Sequence, residues 1–206
     1  MADNICIFEG INYARLTPLV FMRPVYDLRC GILPLRKKIE RWYPGVPVTL
    51  HCRSYLADTI RQTNSGYTVN ELKGKSCLFI NGRVLADEKF AEQIPLEGDD
   101  TLYVCGQTII AARASGRKLS ALKNCLKDVF TISDFNGLVK KEVDVKVFNY
   151  LWDLIYSNGS QITDDFNYLT KKSNKKKISG KVYEGAYLVN KKNIFIGEGS
   201  IIKPGA

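Results

Sequence analysis

Short apolar runs, each too brief for a helix and each followed by a helical pattern, set the tightest limit on how this chain can fold. They are ICIF at 5–8, VPVTL at 46–50, CLFI at 77–80 and the longer TLYVCGQTIIAA at 101–112, which Gly106 divides in two. Runs so uniformly apolar are what strands look like when both faces are covered, as in a mainly parallel sheet between helical layers. Helical patterns fall at 32–43, where Leu33, Leu35, Ile39, Trp42 and Tyr43 form an inner face and Pro44-Gly45 a stop, and at 54–63, where Ser54 is a plausible cap. Further helical pieces are expected at 86–94, 118–128 and 145–157, the last closed by Asn158-Gly159 before a separate amphipathic piece at 160–170. The alternation predicts an α/β layered fold with a mainly parallel sheet. In such sheets, ligands bind beyond the carboxyl ends of the strands.

The loop after the first strand is unusual. Residues 15–36, RLTPLVFMRPVYDLRCGILPLR, carry Arg15, Arg23, Arg29 and Arg36 among the prolines Pro18, Pro24 and Pro34 and the glycine Gly31. Guanidinium forks and helix N-termini both favour phosphate oxygens. The loop is therefore expected to face a nucleotide or a sugar phosphate, together with Asn81, Gly82 and Arg83 at the end of a later strand. Local explanations compete at each position. Arg29 can pair with Asp27, Arg15 can be a plain surface residue, and Asn81-Gly82 is a turn signal. Asp87, just ahead of Glu88-Lys89, fits a helix N-cap, and Trp152, on a helix with apolar Leu151, Leu154 and Ile155, reads as core.

Charge and cysteines narrow the function classes. The net charge of +9 points toward nucleic acid, but residues 171–192 hold eight lysines and one glutamate, so the excess is a local tract rather than a stripe on a folded face. That tract reads as a solvated linker, and nucleic-acid binding is not expected. The six cysteines form no CxxC pair and there is a single histidine, so local zinc motifs are absent and the cysteines read as reduced, buried hydrophobes. No apolar run approaches the roughly 20 residues needed to span a bilayer, and the start, MADNICIFEG, lacks the pattern of a secretory leader. A cytoplasmic protein is the expectation.

The tail has a different rhythm. In 182–206, Ile196 and Ile202 are six apart, Ser200 and Ala206 fall four after each, and Gly197, Gly199 and Gly205 lie between. A six-residue period of one aliphatic and one small residue marks a left-handed parallel β-helix, of which only the first turns fit before the chain stops. The expected organisation is a domain over 1–170, a lysine-rich linker over 171–181, and the start of a hexapeptide-repeat β-helix over 182–206.

With RPVYDLRCGILPLR, NGRVLAD, WDLI and IGEGSIIKPGA together, the chain resembles the sugar-1-phosphate nucleotidyltransferases, in particular a divergent bacterial branch similar to the two-domain enzymes that join an N-acetylglucosamine-1-phosphate uridylyltransferase to a β-helical acetyltransferase. The resemblance implies a nucleotide-diphospho-sugar transferase fold, an NTP and a sugar-1-phosphate as substrates, and Mg²⁺ as cofactor. It implies catalytic and phosphate-binding roles for Arg15 and Arg23, with Arg29 as helper and Asn81 and Gly82 beside them. The full-length form would be a trimer through its β-helix, and a fragment ending here a monomer or weak dimer. Two departures stand out. Residues 8–14 carry one glycine where the family has several, and Gly82-Arg83 stands where the family has the Gly-Asp whose carboxylate helps hold the metal, which leaves Asp87 as the metal candidate. A catalytically inactive binding or structural domain is the alternative.

Overall fold

The computed structural model describes residues 1–172 and 177–206. Strand β1 (Asn4–Phe8) is buried at every position. Its side chains alternate between two cores, Ile5 and Ile7 in one and Cys6 and Phe8 in the other. Strand β4 (Ser76–Asn81) divides the same way, Leu78 and Ile80 against Cys77 and Phe79. A strand with apolar partners on both faces has no solvent side, which is why these runs read as continuously apolar.

The remaining strands of the main sheet are β2 (Val48–Leu50), β3 (Thr68–Val69), β5 (Thr101–Cys105), β6 (Thr108–Ser115) and β7 (Val139–Glu142). The seven strands run in the order β3-β2-β1-β4-β6-β5-β7. Pairing is parallel from β3 through β4 and again between β5 and β7, while β6 lies antiparallel between β4 and β5. The α/β layered fold with a mainly parallel sheet is therefore present. Its carboxyl edge gathers the segments that follow β1, β2 and β4.

Helix α1 (Leu35–Glu40) is shorter than the 32–43 expected, with Pro34 as its N-cap. Helix α2 (Ala57–Thr63) follows a 3-10 turn over Ser54–Leu56. Ser54 does not cap it; its amide and hydroxyl instead donate to Asp128 at 3.0 and 3.2 Å. Helices α3 (Glu88–Gln93) and α4 (Gly116–Asn124) fall where the patterns placed them.

The largest departure is α5 (Leu151–Lys172), a single helix of 22 residues that runs straight through Asn158-Gly159. The expected stop fails for a tertiary reason. Asn158 Oδ1 accepts the Gly31 amide at 2.7 Å, while Gly159 faces open space. A helical glycine costs about 1 kcal/mol relative to alanine, and the docking of the helix outweighs it. Leu154 of α5 joins Leu16, Val20, Val25, Leu28, Cys30, Leu35, Leu85 and Phe148 in a third core beneath the first loop.

All six cysteines are free; four are buried, Cys105 is half-buried and Cys125 exposed. Beyond α5, β8 (Lys181–Val182) pairs in parallel with β9 (Ile201–Ile202), and Ile178 bridges Ile196 in the same sense. The linker expected over 171–181 thus begins inside α5 and ends inside this pairing, and its residues 173–176 lie outside the described residues. No helix among the described residues is long and apolar enough to cross a membrane.

Candidate functional site

The carboxyl edge is organised by an ion pair that the sequence reading did not single out. Glu9 follows β1 directly and is fully buried. Its carboxylate accepts Arg53 Nε at 3.0 Å and the Val25 amide at 3.0 Å. Arg53 lies just past β2; its Nη2 donates onward to the carbonyls of Val20 and Arg23, and its guanidinium lies 4.3 Å from the Tyr13 ring centroid. Burial raises the Glu9 carboxyl above its usual range, with Arg53 pulling against that shift. Breaking such a buried pair leaves an uncompensated charge, so it holds the first loop firmly to the sheet. Glu9 directly follows β1 and Arg53 lies a short way past the adjacent β2, and that position beyond two neighbouring strands was the available signal for them.

The far end of the same loop is fastened by α5. The amides of Gly31, Ile32 and Leu33 all donate to side chains of α5. Gly31 donates to Asn158, while Ile32 and Leu33 donate to Asp165 Oδ2 at 2.9 and 3.0 Å. Consecutive converging amides form a nest that suits an anion, and here the chain's own carboxylate fills it. Asp165 also meets Lys38 Nζ at 2.6 Å with neither side chain exposed. Only glycine fits at position 31, where φ is +82° and a Cβ would stand 2.6 Å from the Gln161 carbonyl oxygen. Gly31 thus serves the docking of α5.

Asn81, Gly82 and Arg83 stand beside β1, as expected of a carboxyl edge. Asn81 Nδ2 donates to the Ile109 carbonyl at 2.7 Å and its Oδ1 accepts the Arg83 amide. Gly82 is a close-approach glycine, since a Cβ there would meet Tyr26 Cβ at 2.9 Å. Arg83 is 1% exposed. Its Nη1 donates to the Phe148 carbonyl at 2.9 Å and to Asn149 Oδ1 at 3.0 Å, and its Nε has no partner. Among the described residues no acid pairs with it, nor with Arg15. Burial and the nearby charge of Arg15 bring the Arg83 pKa down to about 10. Arg15 lies over the ring of Tyr150, 5.8 Å from its centroid. Trp152 is not core: it is 52% exposed and stacks on Tyr150 at 4.7 Å.

A cavity of about 270 Å³ opens at this edge, lined by Gly10, Ile11, Asn12, Asn81 and Arg83 on one side and by the segments at 107–109 and 130–133 on the other. The other expected site residues lie elsewhere. Arg23 and Arg29 line a separate pocket with Pro18, Leu19, Met22, Leu28 and Leu154. Asp27 pairs with Arg36 at 2.6 Å rather than with Arg29. Asp87 caps α3, its Oδ1 accepting the Phe90 amide at 2.9 Å, in a region lined by Arg41, Trp42 and Glu88.

A protein-held Mg²⁺ requires oxygen ligands, usually including one or two carboxylates. The candidate carboxylates are committed: Glu9 is held by Arg53, Asp153 accepts the amides of Asn149 and Tyr150, and Asp87, away from Arg83, caps α3. Among the described residues, no group of three or more His, Cys, Asp or Glu side chains gathers to hold a metal. The side chains present do not fit a divalent ion bound by the protein.

The protein is thus an α/β sheet whose carboxyl edge carries Arg83, a buried guanidinium with no acid partner among the described residues. Residues 5–174 match the profile of the sugar nucleotidyl transferase family, and the chain belongs to that family. No curated protein sequence matches it. Among solved structures, it is similar to one assigned as a glucose-1-phosphate thymidylyltransferase from Bacillus anthracis, at 14% identity over 79% of this chain and 96% of that one, with a TM-score of 0.49. It is also similar to the inositol-1-phosphate CTP transferase of T. maritima, at 9% identity over 79% and 97%, with a TM-score of 0.48. Likeness of this degree assigns no role to any residue.

Proposed function

We propose that this chain is a sugar-1-phosphate nucleotidyltransferase, joining a sugar phosphate to an NTP with release of pyrophosphate. The observation that carries the reading is the pair of acid-free guanidiniums, Arg15 and Arg83, at the carboxyl edge of the sheet. In this reaction, an oxygen of the sugar phosphate attacks the α-phosphorus and pyrophosphate leaves in line. That chemistry depends on positioning and on stabilising charge at phosphate oxygens, and it needs no protein nucleophile. Arg15 faces the nucleotide phosphates. Arg23 and Arg29, in their separate pocket, would hold a second phosphate-bearing substrate. Asn81 shapes the cavity wall, and Gly82 lets the Val25–Asp27 turn close on it. Mg²⁺ would enter as the counter-ion of the NTP.

A screen of the four common NTPs against a panel of sugar-1-phosphates, read as pyrophosphate release with Mg²⁺ present, tests the proposal. Turnover that drops at least about tenfold in Arg15→Ala and in Arg23→Ala is expected, since each removes a charge-assisted contact. The committed carboxylates favour a second reading, a binding domain without turnover. The screen separates the two, because such a domain would gain thermal stability from a ligand and release no pyrophosphate.

For the tail, we propose that 182–206 forms the first turns of a left-handed β-helix following a nucleotidyltransferase-like unit over 1–170. Support comes from the parallel pairing of Ile178 with Ile196 and of β8 with β9, which joins stretches one circuit of a coil apart.

A further inference from the structure

Helix α5 turns its polar side chains inward. Toward its own domain it sends, beyond Leu154, Asn158, Gln161 and Asp165, which bind the first loop and Lys38. Its apolar residues run along another face. Trp152, Ile155, Gly159, Ile162, Phe166 and Leu169 follow one another at alternating steps of three and four. That is the spacing of a coiled-coil seam. Ile155 is 72% exposed, and Trp152, Ile162 and Leu169 are exposed with it. Phe166 is half-buried, with the Lys177 ammonium 5.7 Å from its ring centroid.

We propose that this seam pairs with the same seam of a second copy of the chain, antiparallel, about a two-fold axis that passes between positions 159 and 162. The two helices then meet themselves in reverse, as an isologous interface requires. Trp152 of one copy faces Leu169 of the other, Ile155 faces Phe166, and Gly159 faces Ile162. A Cβ at Gly159 would touch nothing within 4 Å, so the open space beside it takes the isoleucine. Parallel pairing would instead set glycine against glycine and tryptophan against tryptophan, a void in one layer and crowding in another. Charge favours the same direction. The lysine tract begins at the C-terminal end of α5, and antiparallel pairing holds the two tracts about 30 Å apart, whereas parallel pairing would join them. Tyr156, Thr163 and Thr170, which flank the seam away from the domain, carry no charge that could repel its copy. Two paired helices bury less than the roughly 1,200 Å² of a standard interface, so the dimer is weak and concentration-dependent. The inference is independent of the nucleotidyl-transfer reading.

Sedimentation equilibrium of the full chain, from about 1 to 500 μM, tests the seam. A monomer–dimer equilibrium with a Kd on the order of 10–100 μM is expected. Ile155→Asp should weaken it at least about tenfold, because pairing would bury the new carboxylate. The melting temperature of the dilute protein should not change, since Ile155 is exposed in the monomer. Direction is tested with Trp152→Lys and Leu169→Glu, two further exposed positions. Each variant should dimerise poorly alone, and an equal mixture should recover, because only antiparallel pairing sets 152 against 169. A chain that stays monomeric throughout, or dimerises equally well as Ile155→Asp, would overturn the seam, as would a stable trimer. A monomer that binds phosphatidylserine vesicles through Ile155 would give the face to a lipid surface instead. A mixture that does not recover would overturn the antiparallel register.

Discussion

His51 carries the clearest pH signature of any single residue. It is the only histidine in the sequence, is 1% exposed, and has its ring 4.5 Å from that of Phe130 and its Nε2 2.6 Å from the Lys127 carbonyl oxygen. Burial pushes its pKa down from 6.5 to about 4. As pH falls through that window, the unfolded chain takes up a proton that the folded state refuses. Stability is therefore full above 6.5, declines toward 4 and levels off below, a loss of roughly 3 kcal/mol from this group. His51→Gln keeps a donor for Lys127 and should flatten that decline in urea titrations; an unchanged slope would contradict the assignment. At this scale the site was only partly legible. Asn81 and Gly82 stand beside the end of β1 because β4 pairs with it in parallel, whereas Arg15 lies over Tyr150, outside the cavity lining. Arg83, which had read as a departure from the family pattern, proved a buried charge of the cavity wall. Glu9 and Arg53 escaped notice because their partnership spans 44 positions and leaves no local pattern.

Among the elements, α5 does the most to shape the site without lining its cavity. Asp165 serves Lys38 and two loop amides at once. Asp165→Ala should destabilise the fold by about 3–5 kcal/mol, since it strands Lys38 without a carboxylate. Hydrogen exchange at Ile32 and Leu33 should accelerate well beyond the global change, and unaltered protection there would show that the nest stands without its carboxylate. Strands β1, β2, β4, β5 and β6 were readable because both of their faces are covered or because Gly106 marks the turn between them. Strand β3 has two residues, too few to show a period. Strand β7, VKKE, is exposed throughout at the sheet edge, so it carries no apolar signal. The helix through Asn158-Gly159 was hidden by sequence neighbours that favour a stop, and contacts from a loop more than a hundred residues away reversed that preference.

At the scale of the molecule, α5 presents an outward face with Trp152, Ile155, Tyr156, Ile162 and Leu169 exposed. We expect a chain of these 206 residues to sediment as a monomer with weak dimerisation through such apolar surface. A stable trimer in sedimentation velocity would refute this and point instead to the tail. The clamp on the first loop has a temporal meaning as well. Gly31, Ile32 and Leu33 receive their acceptors from residues 127 to 133 positions later in the chain. A nascent polypeptide leaves the ribosome N-terminus first, so the arginine-bearing loop is made early but cannot take its final shape until nearly the whole domain has emerged. The carboxyl edge of the sheet is therefore among the last parts of the domain to be completed.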